Sequence, residues 1–219
     1  MYECVVFDFD GLILDTETPL YSAWAQVFDH YGAPRIDLAA WNQSLGLRSD
    51  DPGVLDPLQH LRAAVDTGEA DEQIQQRRRA IRDELVAAEP IRPGVEAVLA
   101  QAEAAGVPVA IASSSPTEWV EGHLGPRGLL KRFPVVSCAG AGVPGKPDPA
   151  VYLNACLALG VEPSRALALE DSPNGCAAAK AAGMTCFVVP NGVSRNLSFP
   201  LADRILDSLA DVTLAIESS

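Results

Sequence analysis

Positive charge is scarce in this sequence. Its 219 residues include 16 lysines and arginines against 29 aspartates and glutamates, which gives a net charge of −13, and only three of the basic residues are lysines. Nucleic acids and anionic membrane surfaces are therefore poor partners for this chain. A substrate that carries phosphate would need a metal ion or a few well-placed cations to overcome the overall negative charge.

Long apolar segments and paired cysteine motifs are also missing. No apolar run approaches the roughly 20 residues that span a bilayer, and the first residues lack the basic and apolar regions of a signal peptide. The five cysteines form no C-x-x-C pair, and they do not cluster in sequence with the three histidines. We therefore expect reduced thiols in a cytoplasmic protein without a zinc site.

The sequence does contain an alternation of strand-like and helix-like segments. Short apolar runs typical of buried parallel strands cover residues 4–9, 107–112, 135–138, 166–169 and 185–189. Helical patterns that end at a glycine lie at residues 93–105, 149–159 and 173–182. This alternation predicts an α/β fold with a Rossmann-like, doubly wound parallel sheet.

The segment between the first two predicted strands is different. Residues 16–87 contain helical patterns around 20–31, 57–65 and 71–88 and no convincing strand. We interpret this segment as an all-α domain inserted after the first strand. The predicted division is therefore an α/β core at residues 1–15 and 88–219 and a helical cap domain at residues 16–87.

Polar side chains follow several of the predicted strands at their carboxyl ends, where open α/β sheets bind ligands. These side chains belong to Asp8, Asp10, Ser113, Glu170 and Asp171, and Lys146 lies in the loop at residues 145–149. Carboxylates that are gathered in one place repel each other unless a cation offsets their charge. Mg²⁺ prefers oxygen ligands and often binds a substrate phosphate as well, so the pattern favours a magnesium and phosphate site.

Four motifs in this order resemble those of the haloacid dehalogenase superfamily, in the branch whose helical cap follows the first strand and which includes β-phosphoglucomutase and related phosphatases. They are FDFDGLILDTE at residues 7–17, IASS at 111–114, GKPDP at 145–149 and LEDSPNG at 169–175. The resemblance extends over essentially the whole chain. It implies an enzyme that hydrolyses a phosphoric monoester with Mg²⁺ as its cofactor.

The resemblance also implies a role for each matching residue. Asp8 would attack phosphorus and form an aspartyl-phosphate, while Asp10 would protonate the leaving oxygen and later accept a proton from water. Ser113 would hydrogen-bond the transferred phosphoryl group, and Lys146 would neutralise negative charge. The implied metal ligands are Asp8, Asp10 through its main-chain carbonyl, Glu170 and Asp171.

Substrate contacts are expected from Ser114, Gly11 and Arg48. Gly11 allows a sharp turn after the aspartate pair, and the segment at residues 45–49 resembles the substrate loop of the family's cap. Arg48 in that segment could clamp an anionic or hydroxyl group. The expected substrate is a small organic phosphate, with a sugar phosphate favoured, and the expected assembly is a monomer or a homodimer.

Other activities of the superfamily can be weighed by the residues they require. Dehalogenases lack the second aspartate, which is present here as Asp10, and phosphonoacetaldehyde hydrolases need a cap lysine, whereas residues 16–87 contain no lysine. A β-phosphoglucomutase-type mutase stays open, although residues 16–20 lack the histidine that it uses and only the arginines at 77–79 could replace its lysine. A catalytically idle protein that binds a phosphorylated metabolite is a further alternative.

Overall fold

A computed structural model describes residues 2–44 and 55–214 of the chain. Within them, the core is a parallel sheet with the strand order β3-β2-β1-β4-β5-β6. The strands are β1 (Cys4–Phe7), β2 (Val109–Ser113), β3 (Val135–Cys138), β4 (Ala166–Glu170), β5 (Thr185–Val188) and β6 (Arg204–Ile205). The predicted fold class is confirmed, and β1 lies at the centre of the sheet between β2 and β4.

Helices cover both faces of this sheet. They are α5 (Val95–Ala105), α6 (Thr117–Leu124), α7 (Ala150–Leu159) and α8 (Pro173–Ala181). Alternate residues of β1 enter different hydrophobic clusters: Val5 and Phe7 pack with residues of α5 and α6, whereas Cys4 and Val6 pack with residues of α7 and α8. This alternation follows from the two-residue repeat of a strand and explains why β1 is apolar on both faces.

The described part of residues 16–87 is helical and contains no strand. Its helices are α1 (Glu17–His30), α2 (Leu38–Ser44), α3 (Pro57–Ala64) and α4 (Asp71–Ala88). They enclose a separate hydrophobic cluster that includes Trp24, Phe28, Leu61 and Ile74. We refer to the described residues between 16 and 88, which include these four helices, as the helical segment. The exact division of the chain into core and cap domains stays a prediction.

Among the described residues, two α-helices were not predicted, and some element boundaries differ from the predicted ones. Helices α2 and α6 are short and lack a long apolar repeat, so their sequences gave little helical signal. Strand β1 ends at Phe7 rather than at residue 9, because the chain leaves the sheet after Asp8 and turns at residues 11–13, between the bridge partners Asp10 and Leu14. Within the described residues, no helix has the length and apolar character that crossing a membrane requires.

Candidate active site

The turn after β1 is shaped by Gly11. Its φ of +82° is rarely adopted by residues with a side chain. A Cβ atom at this position would lie 2.2 Å from Oδ2 of Asp171 and 2.6 Å from Nδ2 of Asn191. Because Gly11 has no side chain, the turn after β1 can approach Asp171 at the end of β4 closely. Gly11, predicted to contact substrate, lies against Asp171 and is not among the residues that line the cavity described below.

A buried lysine bridges two of the predicted carboxylates. The ammonium group of Lys146 donates to Oδ1 of Asp8 at 2.5 Å and to Oε1 of Glu170 at 2.6 Å. Only 6% of the Lys146 side chain and 8% of the Asp8 side chain are exposed, and Glu170 is completely buried. At this depth a charge needs a partner, so Lys146 and the two carboxylates stabilise one another as a unit.

Tyr152 belongs to the same buried network, although the sequence reasoning did not select it. Its hydroxyl group donates to Oε1 of Glu170 at 2.6 Å, and the ammonium group of Lys146 lies 5.0 Å from the centre of its ring. The other carboxylate oxygen of Glu170 accepts from the backbone N–H groups of Asp171 and Ser172 and from the Ser172 hydroxyl. Glu170 is therefore fixed on both sides and in turn orients Lys146.

Replacing Tyr152 by Phe is expected to reduce stability by about 1.5–3 kcal/mol, because hydrogen bonds to charged groups contribute that much. We expect turnover to fall several-fold as Glu170 and Lys146 lose their fixed geometry. Chemical unfolding and steady-state kinetics measure the two effects. The matched control is Tyr21→Phe in the helical segment, which removes a hydroxyl bonded to the Ile36 carbonyl at 3.0 Å. Equal turnover in the two variants would contradict the role given to Tyr152.

Three carboxylates at this edge of the sheet could hold a metal ion. Asp8, Glu170 and Asp171 each offer an oxygen, and these oxygens lie within 4.8 Å of one another. Burial raises the pKa of Asp8 to about 8 and the pKa of Asp171 well above its ordinary value. Lys146 supplies one positive charge against three carboxylates, so a hard divalent cation such as Mg²⁺ fits the donor set.

Asp171 is hydrogen-bonded to Asn191, a residue that the sequence analysis did not select. Its amide nitrogen donates to Oδ2 of Asp171 at 2.7 Å, and its side-chain oxygen accepts from the backbone N–H groups of Val193 and Ser194. Asn191 follows β5, so it is one more polar residue at the carboxyl end of a strand. That position is the signal by which it could have been found.

Arg92, in the connection between α4 and α5, is hydrogen-bonded to loops at this edge of the sheet. Its guanidinium group donates to the Gly11 carbonyl and, at 3.2 Å, to the Pro190 carbonyl. It therefore joins the turn after β1 to the loop after β5. Because all these contacts are to backbone carbonyls, Arg92 fixes the relative positions of the two loops that carry Asp10 and Asn191.

The side chain of Asp10 is hydrogen-bonded to residues that follow β2 and to helix α6. Its Oδ2 accepts from the hydroxyls of Ser115 at 2.7 Å and Ser113 at 3.3 Å, and its Oδ1 accepts from the Trp119 indole N–H at 2.9 Å. Ser113 is fully buried and its hydroxyl oxygen also accepts from the Ser115 backbone N–H. Its hydroxyl thus contacts Asp10, and the structure places Ser114 and Ser115, not Ser113, on the cavity wall.

A cavity of about 590 Å³ opens above these groups, between the sheet edge and the helical segment. The core contributes Asp8, Asp10, Lys146 and Asp171 to its wall. The helical segment contributes Thr16, Glu17, Leu20 and Arg82. Arg48, the predicted substrate clamp, lies outside the described residues, and so does the whole predicted substrate loop at 45–49.

The arginines of helix α4 differ in what they reach. Arg77 pairs with Glu69, Arg79 pairs with Glu72, and Arg78 donates to Gln75. Arg82, one turn further along the helix, is the one of them on the cavity wall. The side chains at 77–79 are therefore engaged within the helical segment rather than at the site.

The α/β fold brings the aspartate pair, a buried lysine and two further carboxylates to the carboxyl edge of a parallel sheet. This arrangement is typical of an enzyme whose active site is lined by carboxylates. A model of the haloacid dehalogenase-like hydrolases matches residues 2–183. The chain belongs to this family, and the resemblance drawn from its motifs is confirmed.

Known relatives support the same class of enzyme. YhcW from Bacillus subtilis (strain 168), a candidate phosphatase, is 39% identical over 99% of this chain and 96% of its own. Hexitol phosphatase B from Escherichia coli (strain K12) is 35% identical over 95% of this chain and 93% of its own. Among solved structures, that of a candidate β-phosphoglucomutase from Thermotoga maritima has a TM-score of 0.79 at 25% identity, with 95% of each chain covered. The expected enzyme class, a phosphatase of this family, is confirmed.

Proposed function

We propose that this chain is a Mg²⁺-dependent phosphatase that hydrolyses a small monophosphate ester, of a sugar or a sugar alcohol, through an aspartyl-phosphate on Asp8. The main support is the pairing of buried Asp8 with Lys146 beside Asp171, at the floor of a cavity of about 590 Å³. A nucleophilic carboxylate, a fixed cation and a metal-binding carboxylate are the groups that displacement at phosphorus requires.

The proposed reaction has two steps. A carboxylate oxygen of Asp8 attacks phosphorus and the bond from phosphorus to the ester oxygen breaks, while Asp10 gives its proton to that oxygen. Asp10 then takes a proton from a water molecule, whose oxygen attacks phosphorus and releases phosphate and free Asp8. Lys146 lies against Asp8 throughout and offsets negative charge that builds up near it.

A magnesium ion would be held by Asp8, Asp171 and the main-chain carbonyl of Asp10, with Glu170 as a further candidate ligand. When bound, it would supply positive charge that favours ionised Asp8 and attracts the phosphate oxygens. Glu170 already accepts hydrogen bonds at both oxygens, so we propose that its first task is to orient Lys146. Ser114, whose hydroxyl accepts from the Lys146 backbone N–H at 3.0 Å, would line the phosphate position.

The proposed substrate class follows from the polarity of the cavity wall. Glu17, Asn174 and Ser194 can exchange hydrogen bonds with hydroxyl groups, and burial raises the pKa of Glu17 to about 7. A hydroxyl-rich monophosphate suits such a wall, and hexitol phosphatase B is a relative whose name states a substrate of that type. We propose the helical segment as a cap that excludes water from this cavity. The five free cysteines agree with a cytoplasmic location.

A phosphosugar mutase is the second candidate, since one structural neighbour is described as a candidate β-phosphoglucomutase. Such an enzyme must return the phosphoryl group to a sugar instead of water. The arginines at 77–79, the proposed substitutes for its cap lysine, pair with Glu69, Glu72 and Gln75 away from the cavity. This arrangement favours the phosphatase.

A panel of small phosphate esters separates the candidates. We expect Mg²⁺-dependent release of phosphate, fastest for a hexose or hexitol monophosphate, and none in EDTA. Conversion of glucose 1-phosphate to glucose 6-phosphate without release of phosphate would identify a mutase. Binding of an ester without turnover by either route would identify an idle binding protein.

Stability in the absence of metal is expected to fall as pH rises. Folding raises the pKa of Asp8 from 3.8 to about 8, so the folded protein keeps a proton that the unfolded chain loses between these values. The stability contributed by this proton is present at low pH and is lost on the approach to pH 8. A cation replaces that proton, so Mg²⁺ should raise the melting temperature more at about pH 8 than at about pH 5.

Thermal melts with Mg²⁺ and with EDTA at the two pH values measure this effect. In Asp8→Asn the Mg²⁺-induced rise in melting temperature should differ less between the two pH values, because one of the proposed ligands that titrate is gone. An equal Mg²⁺ effect at both pH values in the unaltered protein would contradict the proposed ligands.

A further inference from the structure

Trp119 on α6 contacts two charged groups that come from different parts of the molecule. Its indole N–H donates to Oδ1 of Asp10 at 2.9 Å. The guanidinium carbon of Arg82, on α4 of the helical segment, lies 4.3 Å from the centre of its ring. All three side chains line the cavity. The ring therefore stands between the predicted acid–base residue and a cation of the helical segment.

The surroundings leave Trp119 little freedom to turn. The imidazole of His123, one helical turn further along α6, lies 4.2 Å from the ring at an interplanar angle of 77°. The Arg82 guanidinium also donates to Asp83 at 2.6 Å, and only 23% of the Arg82 side chain is exposed. Arg82 is thus held by its own helix while it covers the indole, an arrangement that cation–π attraction stabilises.

The contact with Asp10 has a chemical consequence. An indole N–H can only donate, so it fixes one oxygen of the Asp10 carboxylate, while Ser115 and Ser113 donate to the other. A general acid must be held within reach of the leaving oxygen, and small displacements reduce its effect. The orientation of Asp10 therefore depends on the position of the Trp119 ring.

We propose that Trp119 is a positioning residue for Asp10, and that Arg82 keeps the Trp119 ring in place from the helical segment. This inference rests on the proposed function, because it assigns the leaving-group proton to Asp10. Under this proposal the orientation of Asp10 depends on the position of α4 relative to the core, because Arg82 covers the Trp119 ring only when α4 packs beside α6.

The test uses leaving groups that differ in their need for a proton. A sugar alkoxide leaves only when it is protonated, whereas a nitrophenolate leaves without that help. The quantity to compare is kcat/KM, which for both esters reports the steps up to phosphoryl transfer to Asp8. In Trp119→Phe the ring under Arg82 remains and the N–H is lost. We expect kcat/KM to fall on the order of 10-fold for a hexose phosphate and less than about 2-fold for nitrophenyl phosphate.

Arg82→Met tests the second half of the proposal. It should reduce the hexose phosphate reaction selectively, and the double variant should be no slower than Trp119→Phe alone, because both act on the same group. Trp24→Phe is the matched control, since Trp24 lies under Arg78 at 5.9 Å inside the helical segment and has no contact with Asp10 among those described. It should leave the ratio of the two kcat/KM values unchanged.

Equal losses for both esters in Trp119→Phe would show a merely structural role and overturn the proposal, as would no loss for either. Additive losses in the double variant would overturn the role of Arg82. Failure of the proposed function is visible separately, because the unaltered protein would then hydrolyse neither ester.

Discussion

Phosphate release is expected to fall by on the order of 10⁴-fold or more in Asp8→Asn, because loss of a covalent nucleophile removes the whole reaction path. An amide has nearly the size of the carboxylate, and its oxygen can still accept a hydrogen bond from Lys146. It cannot attack phosphorus to give a stable intermediate. The fold should persist, since the change removes one of three carboxylates that are buried close together.

A phosphate-release assay with the best ester of the panel measures this effect. The matched control is Asp29→Asn, which removes an exposed carboxylate that pairs with Arg35 in the helical segment. The control should retain full activity. Activity within about 10-fold of the unaltered protein in Asp8→Asn would exclude Asp8 as the nucleophile.

Loss of Lys146 is expected to damage both stability and activity. In Lys146→Met the side-chain volume is largely kept, but Asp8 and Glu170 lose the cation that lies 2.5 Å and 2.6 Å from them. Breaking a buried ion pair by removing one partner typically costs about 3–5 kcal/mol, because the remaining charge is unpaired. Activity should fall by on the order of 10³-fold, since negative charge at the phosphoryl group is no longer offset.

Urea unfolding in EDTA and phosphate release measure the two losses. Lys180→Met is the matched control: Lys180 pairs with Asp203 on the surface at 2.7 Å, with both side chains about one-third exposed. Such exposed pairs contribute less than about 1 kcal/mol. Since burial raises the pKa of Asp8 to about 8, the loss of stability in Lys146→Met should be greater above pH 8 than below it. Equal stability losses in Lys146→Met and Lys180→Met would contradict the buried network.

The parallel sheet, and the proximity of the site residues at its carboxyl edge, could be predicted from the sequence. Apolar runs that end in polar residues identify buried parallel strands, and parallel strands bring their carboxyl ends to one edge. The proximity of Asp8, Lys146, Glu170 and Asp171 follows from that rule together with the motifs. Their metal ligation and catalytic roles stay predictions.

Contacts that depend on the packing of distant elements could not be predicted in this way. Tyr152 reaches Glu170 from the side of α7, and Trp119 reaches Asp10 from α6, yet neither residue carries a spacing that distinguishes it from core residues. The direction of the Ser113 hydroxyl is a similar case, because it depends on the turn after β1 that brings Asp10 beside it. Sequence patterns identify faces of helices and strands, whereas such pairings need the three-dimensional arrangement.

The most direct test of the account is to trap the intermediate on Asp8. The enzyme would be mixed with Mg²⁺ and its best ester, quenched during turnover and reduced with borohydride, which converts an aspartyl-phosphate to homoserine. Peptide mass spectrometry then locates the change. We predict homoserine at position 8 only when both ester and Mg²⁺ are present, and none in Asp8→Asn. Rapid turnover with no trapped residue, or with the change at another carboxylate such as Asp10, would contradict the mechanism.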